Sequence, residues 1–246
     1  MLTAKHLAFT VCFAALYAVF CLFPIFQIVG LPSKFITLAA ITAPIIGMLL
    51  GPHLGALSTI LGGTIGFFTG HFSLPSFVAG VVAALAAGTL NFGRRSLCAF
   101  MYFSLLFFFG FYPFVGPVWL YPQLMWFQII GFLILVSPLQ SIAARNAWNS
   151  KSDAKLVPAF FVTALTSTLA GQIAGSLTFE VLSWPIFVAD VNAWRLNWQL
   201  ITLLYPAERI VISLAATLIG VALHKVLRSA NLTNMLTYAN QREKHP

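Results

Sequence analysis

Apolar runs follow one another along almost the whole chain, separated by polar gaps of only a few residues. Charged residues occupy 7% of the 246 positions, against roughly a quarter in an ordinary soluble domain. A water-soluble globular fold is therefore excluded. The expected fold class is all-α, a polytopic transmembrane helix bundle. A spanning helix needs about 20 apolar residues, and eight runs can be marked, at about 7–29, 35–50, 54–70, 76–91, 96–113, 123–143, 157–179 and 200–224. The second to fourth are short and glycine-rich, so one of them could be re-entrant or buried within the bundle, and six to eight helices are expected. These runs leave no room for a soluble domain, which predicts a single transmembrane domain over 1–228 and a polar tail over 229–246. The first run exceeds the roughly 7–15 residue apolar core of a signal peptide and should remain as the first helix.

Thirteen Lys and Arg against five Asp and Glu give a net charge of +8. In a soluble protein this excess would suit nucleic acid, but here the cations lie between apolar runs, where they report membrane orientation, and no nucleic-acid partner is expected. With the N-terminus inside, Lys5, Arg94, Arg95, Arg145, Lys151, Lys155, Lys225, Arg228, Arg242 and Lys244 fall on the cytoplasmic side; Lys34, Arg195 and Arg209 fall outside. Both termini are therefore expected in the cytoplasm, with the chain multi-pass in the cell membrane. The polar stretch Arg145–Lys155 separates six runs from two and reads as an inner linker.

Cys12, Cys21 and Cys98 stand singly in apolar surroundings and read as small core residues. His53 and His71 sit at turns without ligand-spaced companions, so no metal and no cofactor are expected. Ala14 and Ala18, four apart, share one helix face on which another backbone can approach closely. That spacing serves packing within the chain as well as docking of a partner. Gly55, Gly62, Gly63, Gly66 and Gly70 similarly leave one side of the third run nearly bare, a side that should pack tightly against a neighbour.

The alanine pair of the first run, the segment Ile36-Thr37-Leu38-Ala39-Ala40-Ile41-Thr42-Ala43-Pro44-Ile45-Ile46-Gly47-Met48-Leu49-Leu50-Gly51-Pro52-His53-Leu54-Gly55-Ala56 and the glycine-rich run after it resemble the substrate-binding S components of energy-coupling factor (ECF) transporters. Tyr205-Pro206-Ala207-Glu208-Arg209 in the last run is a second, shorter likeness. S components usually have fewer helices than the runs counted here. The resemblance implies a membrane receptor that binds a vitamin-like micronutrient from outside and then joins a transmembrane coupling subunit and two ATPase subunits. It also implies that Ala14 and Ala18 form the surface meeting the coupling subunit. The chain has no phosphate-binding loop of its own, so ATP-driven work would belong to those partners.

A ligand arriving from outside needs polar and aromatic groups near the outer helix ends. Gln27 and Lys34 flank the first outer loop, Trp119 and Tyr121 the third, and Asp190, Asn192, Trp194 and Arg195 lie in the fourth. Rings at these places also serve as an interfacial belt in membrane proteins generally. Glu208 and Arg209 fall about nine residues into the last run, a depth at which ionisable groups are costly and usually face the protein interior. Adjacent helical residues diverge by about 100°, so each is expected to find a partner other than its neighbour, either substrate or a structural ion-pair partner. Signatures of zinc hydrolysis and serine hydrolysis are absent from the sequence, as are paired aspartates in a span. The reading is thus a non-enzymatic capture subunit, with a non-transporting membrane assembly protein of similar fold as the alternative.

Overall fold

The computed structural model describes residues 4–31, 33–70, 72–150 and 152–230. The chain is an all-α, multi-pass membrane bundle with one small antiparallel sheet. The helices are α1 (Ala4–Phe20), α2 (Ala39–Phe68), α3 (Leu74–Asn91), α4 (Arg95–Gly110), α5 (Pro117–Leu120), α6 (Trp126–Val136), α7 (Pro138–Asn149), α8 (Asp153–Ser183) and α9 (Val191–Ser229). Strands β1 (Pro24–Gln27) and β2 (Phe35–Thr37) pair between α1 and α2, with Gln27 opposite Phe35. The first apolar run, expected to stay helical to residue 29, therefore leaves the helix at Phe20. Proline at 24 cannot supply a helical N–H, and the following Ile25 and Phe26 favour a pleated strand.

Although α2 is continuous in its hydrogen-bond pattern, it is a hairpin. Gly51 has φ 82° and ψ 179°, and a Cβ on Gly55 would lie 2.9 Å from the Cα of Gly47. Residues eight apart in a straight helix are about 12 Å apart, so the chain has folded back on itself. Pro52 opens the second arm at a place where no N–H is required. Asn91 donates a side-chain hydrogen bond to the Met48 carbonyl, one of the acceptors orphaned where the first arm ends. The first arm, 39–50, rises only about 18 Å and the second, 52–68, about 26 Å. From Ile41 to Gly51 every residue of the first arm is buried. A segment too short to span is enclosed by protein on all sides, the condition under which such segments are tolerated at membrane depth.

Further along, the run expected over 123–143 is bent by 65° between α6 and α7. Pro138 removes the helical donor there, and the Ser137 hydroxyl accepts from Leu139 N at 3.3 Å to start the new helix. The inner linker expected over Arg145–Lys155 is mostly helical, since α7 continues to Asn149 and α8 begins at Asp153. Arg228 donates to the Ser150 carbonyl at 2.8 Å and Lys225 pairs with Asp153 at 2.7 Å, tying this corner to α9. Lys151, His71 and the tail residues 231–246, with Arg242 and Lys244, lie outside the described residues.

Helix α8 is the hub, packing against α3, α4, α6, α7 and α9. Two apolar cores flank it. One joins Tyr17, the first arm of α2 and Ile212; the other joins Tyr102, Leu169, Trp194 and Trp198. One end of the bundle carries the β-hairpin and the turns before α3, α6 and α9; the opposite end carries Gly51 and the α3–α4 and α7–α8 turns.

Candidate functional site

A cavity lies between the two cores, beneath the β-hairpin. The space in it open to a water-sized sphere is about 90 Å³, several times the roughly 10–15 Å³ that one water needs. Ile28, Val29 and Ile36 of the hairpin segment roof it, with Phe72, Phe179 and Trp198 around the upper wall. Lower down, Ala40 and Ala43 of α2 and Ala79 and Ala83 of α3 present small side chains to the space. Pro44 takes away the helical donor for the Ala40 carbonyl on this same wall. Tyr17, from α1, approaches from below.

The polar part of the cavity is built by α8 and α9. These helices run antiparallel, and Thr168 Oγ1 meets Ser213 Oγ at 3.1 Å, while the Ser176 side chain meets the Tyr205 hydroxyl. Stepping one helical turn from each anchor sets Gln172 level with Arg209. Both residues line the cavity and both are buried, Gln172 at 6% and Arg209 at 6% exposure. Neither Gln172 Oε1 nor Arg209 Nε has a hydrogen-bond partner among the described residues, and Thr37 Oγ1, also on the wall, is equally unpartnered. Buried polar atoms are almost always satisfied in folded proteins. Gln172, Arg209 and Thr37 are thus buried polar side chains grouped on the wall of one mostly apolar cavity, the arrangement expected of a binding site.

Arg209 does pair with its neighbour, contrary to the expectation from helical divergence. Its Nη2 lies 3.4 Å from Glu208 Oε2, because the arginine stem is long enough to bring its head back around the helix. The contact is long beside the usual 2.9–3.0 Å, so the guanidinium keeps donor capacity for another group. It also lies 6.0 Å from the Tyr205 ring centre, one turn earlier on the same helix. Since α9 begins at Val191 and not near residue 200, Glu208 sits about 26 Å along it. The pair thus lies further along its helix than the sequence implied. Pro206 frees the Thr202 carbonyl one turn before it, and Trp126 Nε1 occupies that acceptor at 3.2 Å.

Of the ten candidates taken from the sequence, Arg209 alone lines the cavity, with Glu208 behind it. Asp190 caps α9, accepting from Asn192 N at 2.9 Å, and both residues are exposed. Arg195 is exposed and does not line the cavity. Trp194 is fully buried in the second core, donating to the Val188 carbonyl at 2.9 Å and packing in tilted ring contacts between Phe179 and Trp198. Lys34 donates to the Gly70 carbonyl and thereby ties the β-hairpin to the end of α2. Gln27 and Trp119 are exposed, and Tyr121 packs against the second core. Ala14 and Ala18 are buried: a Cβ on Gly62 would lie 2.3 Å from the Ala14 carbonyl oxygen and 3.1 Å from Ala18 N. The expected partner surface is thus a seam within the chain, the other use its spacing allowed. Sequence reasoning missed Gln172, Ser176 and Thr37. The available signal was Gln172, the lone amide in a stretch whose other polar residues are all Ser and Thr.

Compared with known proteins, the chain matches no family model, no curated protein and no solved structure.

Proposed function

We propose that the chain is the substrate-capture subunit of an ECF-type importer, taking a vitamin-like micronutrient into the cavity from the outer side of the cell membrane. The observation that carries this reading is the level of Arg209 and Gln172, where buried polar side chains line a mostly apolar cavity under a roof of loop and strand. The charge distribution supports the orientation. Arg94, Arg95, Arg145, Lys155, Lys225 and Arg228 gather at the end opposite the hairpin, which the preference of cations for the cytoplasm makes the inner end. The hairpin and the cavity beneath it then lie on the outer side, and both termini face in. The resemblance to S components supplies the rest: a transmembrane coupling subunit and two ATPases would drive release. Because Gly62 occupies the Ala14 and Ala18 face, the side of α1 left for a coupling subunit is the exposed one, with Val11, Ala15 and Val19.

The test is native mass spectrometry of protein purified in detergent from cells grown in rich medium. One small molecule per chain is expected in the wild type and none in Arg209→Ala. A wild type that is repeatedly empty, and shifts in mass with no member of a vitamin panel, would overturn capture and favour a non-transporting assembly role.

A further inference from the structure

We infer that the captured ligand is a monocarboxylate with an apolar body, its carboxylate held between Arg209 of α9 and Gln172 of α8 at the end of the cavity far from the hairpin. The inference rests on the capture reading and adds the chemical class of what is captured. Three observations carry it.

First, the groups of this pair that are open to the cavity are donors. Arg209 Nη1 and Gln172 Nε2 make no hydrogen bond to the described residues and, unlike Arg209 Nε and Gln172 Oε1, keep open surface. Both residues line the cavity and are otherwise buried, so that surface faces into it. A carboxylate offers two acceptor oxygens and no donor, one oxygen for each helix. A carboxamide would turn its own NH2 toward one of these donors. Second, the charge at this level leaves room for one anion. Arg209 Nη2 lies 3.4 Å from Glu208 Oε2, and Glu208 does not line the cavity, so the planar guanidinium stands between the two. A ligand carboxylate at Nη1 would sit at about 2.7–2.9 Å, the usual length of such bonds and nearer the cation than Glu208 is. Among the described residues, no Lys, His or second Arg lines the cavity, and no Asp or Glu does. A dianion such as a phosphate monoester would therefore hold one charge without a partner in a poorly solvated space, which is strongly unfavourable. Third, the wall leading to this level is mostly apolar. Asn197 lies beside Gly30 of the hairpin segment, and Arg209 follows it by 12 residues, about 18 Å along α9. Phe72, Ala79, Phe179, Trp198 and Ile201 line the space over that length, which suits a hydrocarbon body.

The experiment uses the full chain in detergent and matched probes that do not absorb with tryptophan: cyclohexanecarboxylate against cyclohexanecarboxamide, hexanoate against hexanamide, and cyclohexyl phosphate as the dianion. Binding is read by the change in tryptophan fluorescence, for which Trp198 on the wall is the reporter. Each carboxylate is expected to bind at least about tenfold more tightly than its amide, and cyclohexanecarboxylate at least about tenfold more tightly than the phosphate. Gln172→Leu leaves the pair of Arg209 with Glu208 in place and should weaken the carboxylates at least about tenfold. A wild type that prefers the amides or the phosphate, or that responds to no probe, overturns the inference, as does an unchanged carboxylate affinity in folded Gln172→Leu. A second measurement needs no variant: the small molecule retained by the wild type, extracted and treated with acidic methanol, should take up a single methyl group as its ester. A retained molecule that takes up none overturns the carboxylate inference and leaves capture standing. A wild type that retains nothing, and binds no member of a vitamin panel, overturns capture itself.

Discussion

The two halves of the first arm of α2 use small residues in opposite ways. Near its inner end, Gly47 is pressed against α3, where a Cβ would lie 2.0 Å from the Ala84 carbonyl oxygen. Near its outer end, Ala40 and Ala43 face the cavity. The same device, removal of side-chain volume, lets backbones touch in one place and leaves room in the other. Helix association within a membrane relies on the first effect, because lipid is as apolar as leucine and van der Waals contact is the main gain. A ligand site depends on the second. The difference lies in what stands opposite: a helix backbone, or the polar pair Gln172 and Arg209.

Filling each half should therefore give opposite results. Gly47→Leu forces atoms into the α3 backbone, which cannot yield as a flexible side chain would, so its cost should lie well above the roughly 1–3 kcal/mol of ordinary core overpacking. Loss of a monodisperse peak in size-exclusion chromatography is expected, with recovery in no ligand. Arg209→Ala comes next in size. It leaves Glu208 buried without its cation, a change of about 3–5 kcal/mol where such pairs are broken. A lower thermal midpoint is expected, and the double change Glu208→Gln with Arg209→Met should regain most of the stability without regaining ligand. Ala40→Leu, by contrast, fills empty space: the thermal midpoint should stay within the spread of surface variants, about ±0.5 kcal/mol, while retained ligand disappears. Smallest in effect on binding is Asp190→Ala. Losing that cap should destabilise by about 1 kcal/mol, with ligand occupancy unchanged, since Asp190 lies outside the cavity.

How much of this was legible depends on the kind of signal. The helical membrane bundle follows from the scarcity of charge, and Glu208 with Arg209 stood out because ionisable groups are rare in an apolar run. The outer-loop candidates were less informative. Asp190, Asn192, Arg195, Gln27 and Trp119 had polarity in the right region, but a loop residue can cap, anchor or face water, and hydropathy does not separate these uses. Gln172 and Thr37 carry no charge and sit in segments that read as core, so only the fold shows their atoms without partners. The α2 hairpin was half visible. Gly51-Pro52 marked a break, but enclosure of the first arm depends on α3 and on α8 and α9, the last two of which are distant in sequence. Gly70, expected in a packed stripe, has no neighbour within 4 Å of a built Cβ and instead turns the chain at φ +83°.

The central claim is that the space beneath the hairpin is an accessible ligand site, and cysteine labelling at Ala40 tests it most directly. In a background with Cys12, Cys21 and Cys98 replaced by Ala, Ala40→Cys should react with a small water-soluble maleimide in dialysed protein. The low-mass fraction of a cell extract should protect it, and adding Arg209→Ala should abolish that protection. An Ala40→Cys that never reacts, or that reacts equally with and without the extract, would contradict the account.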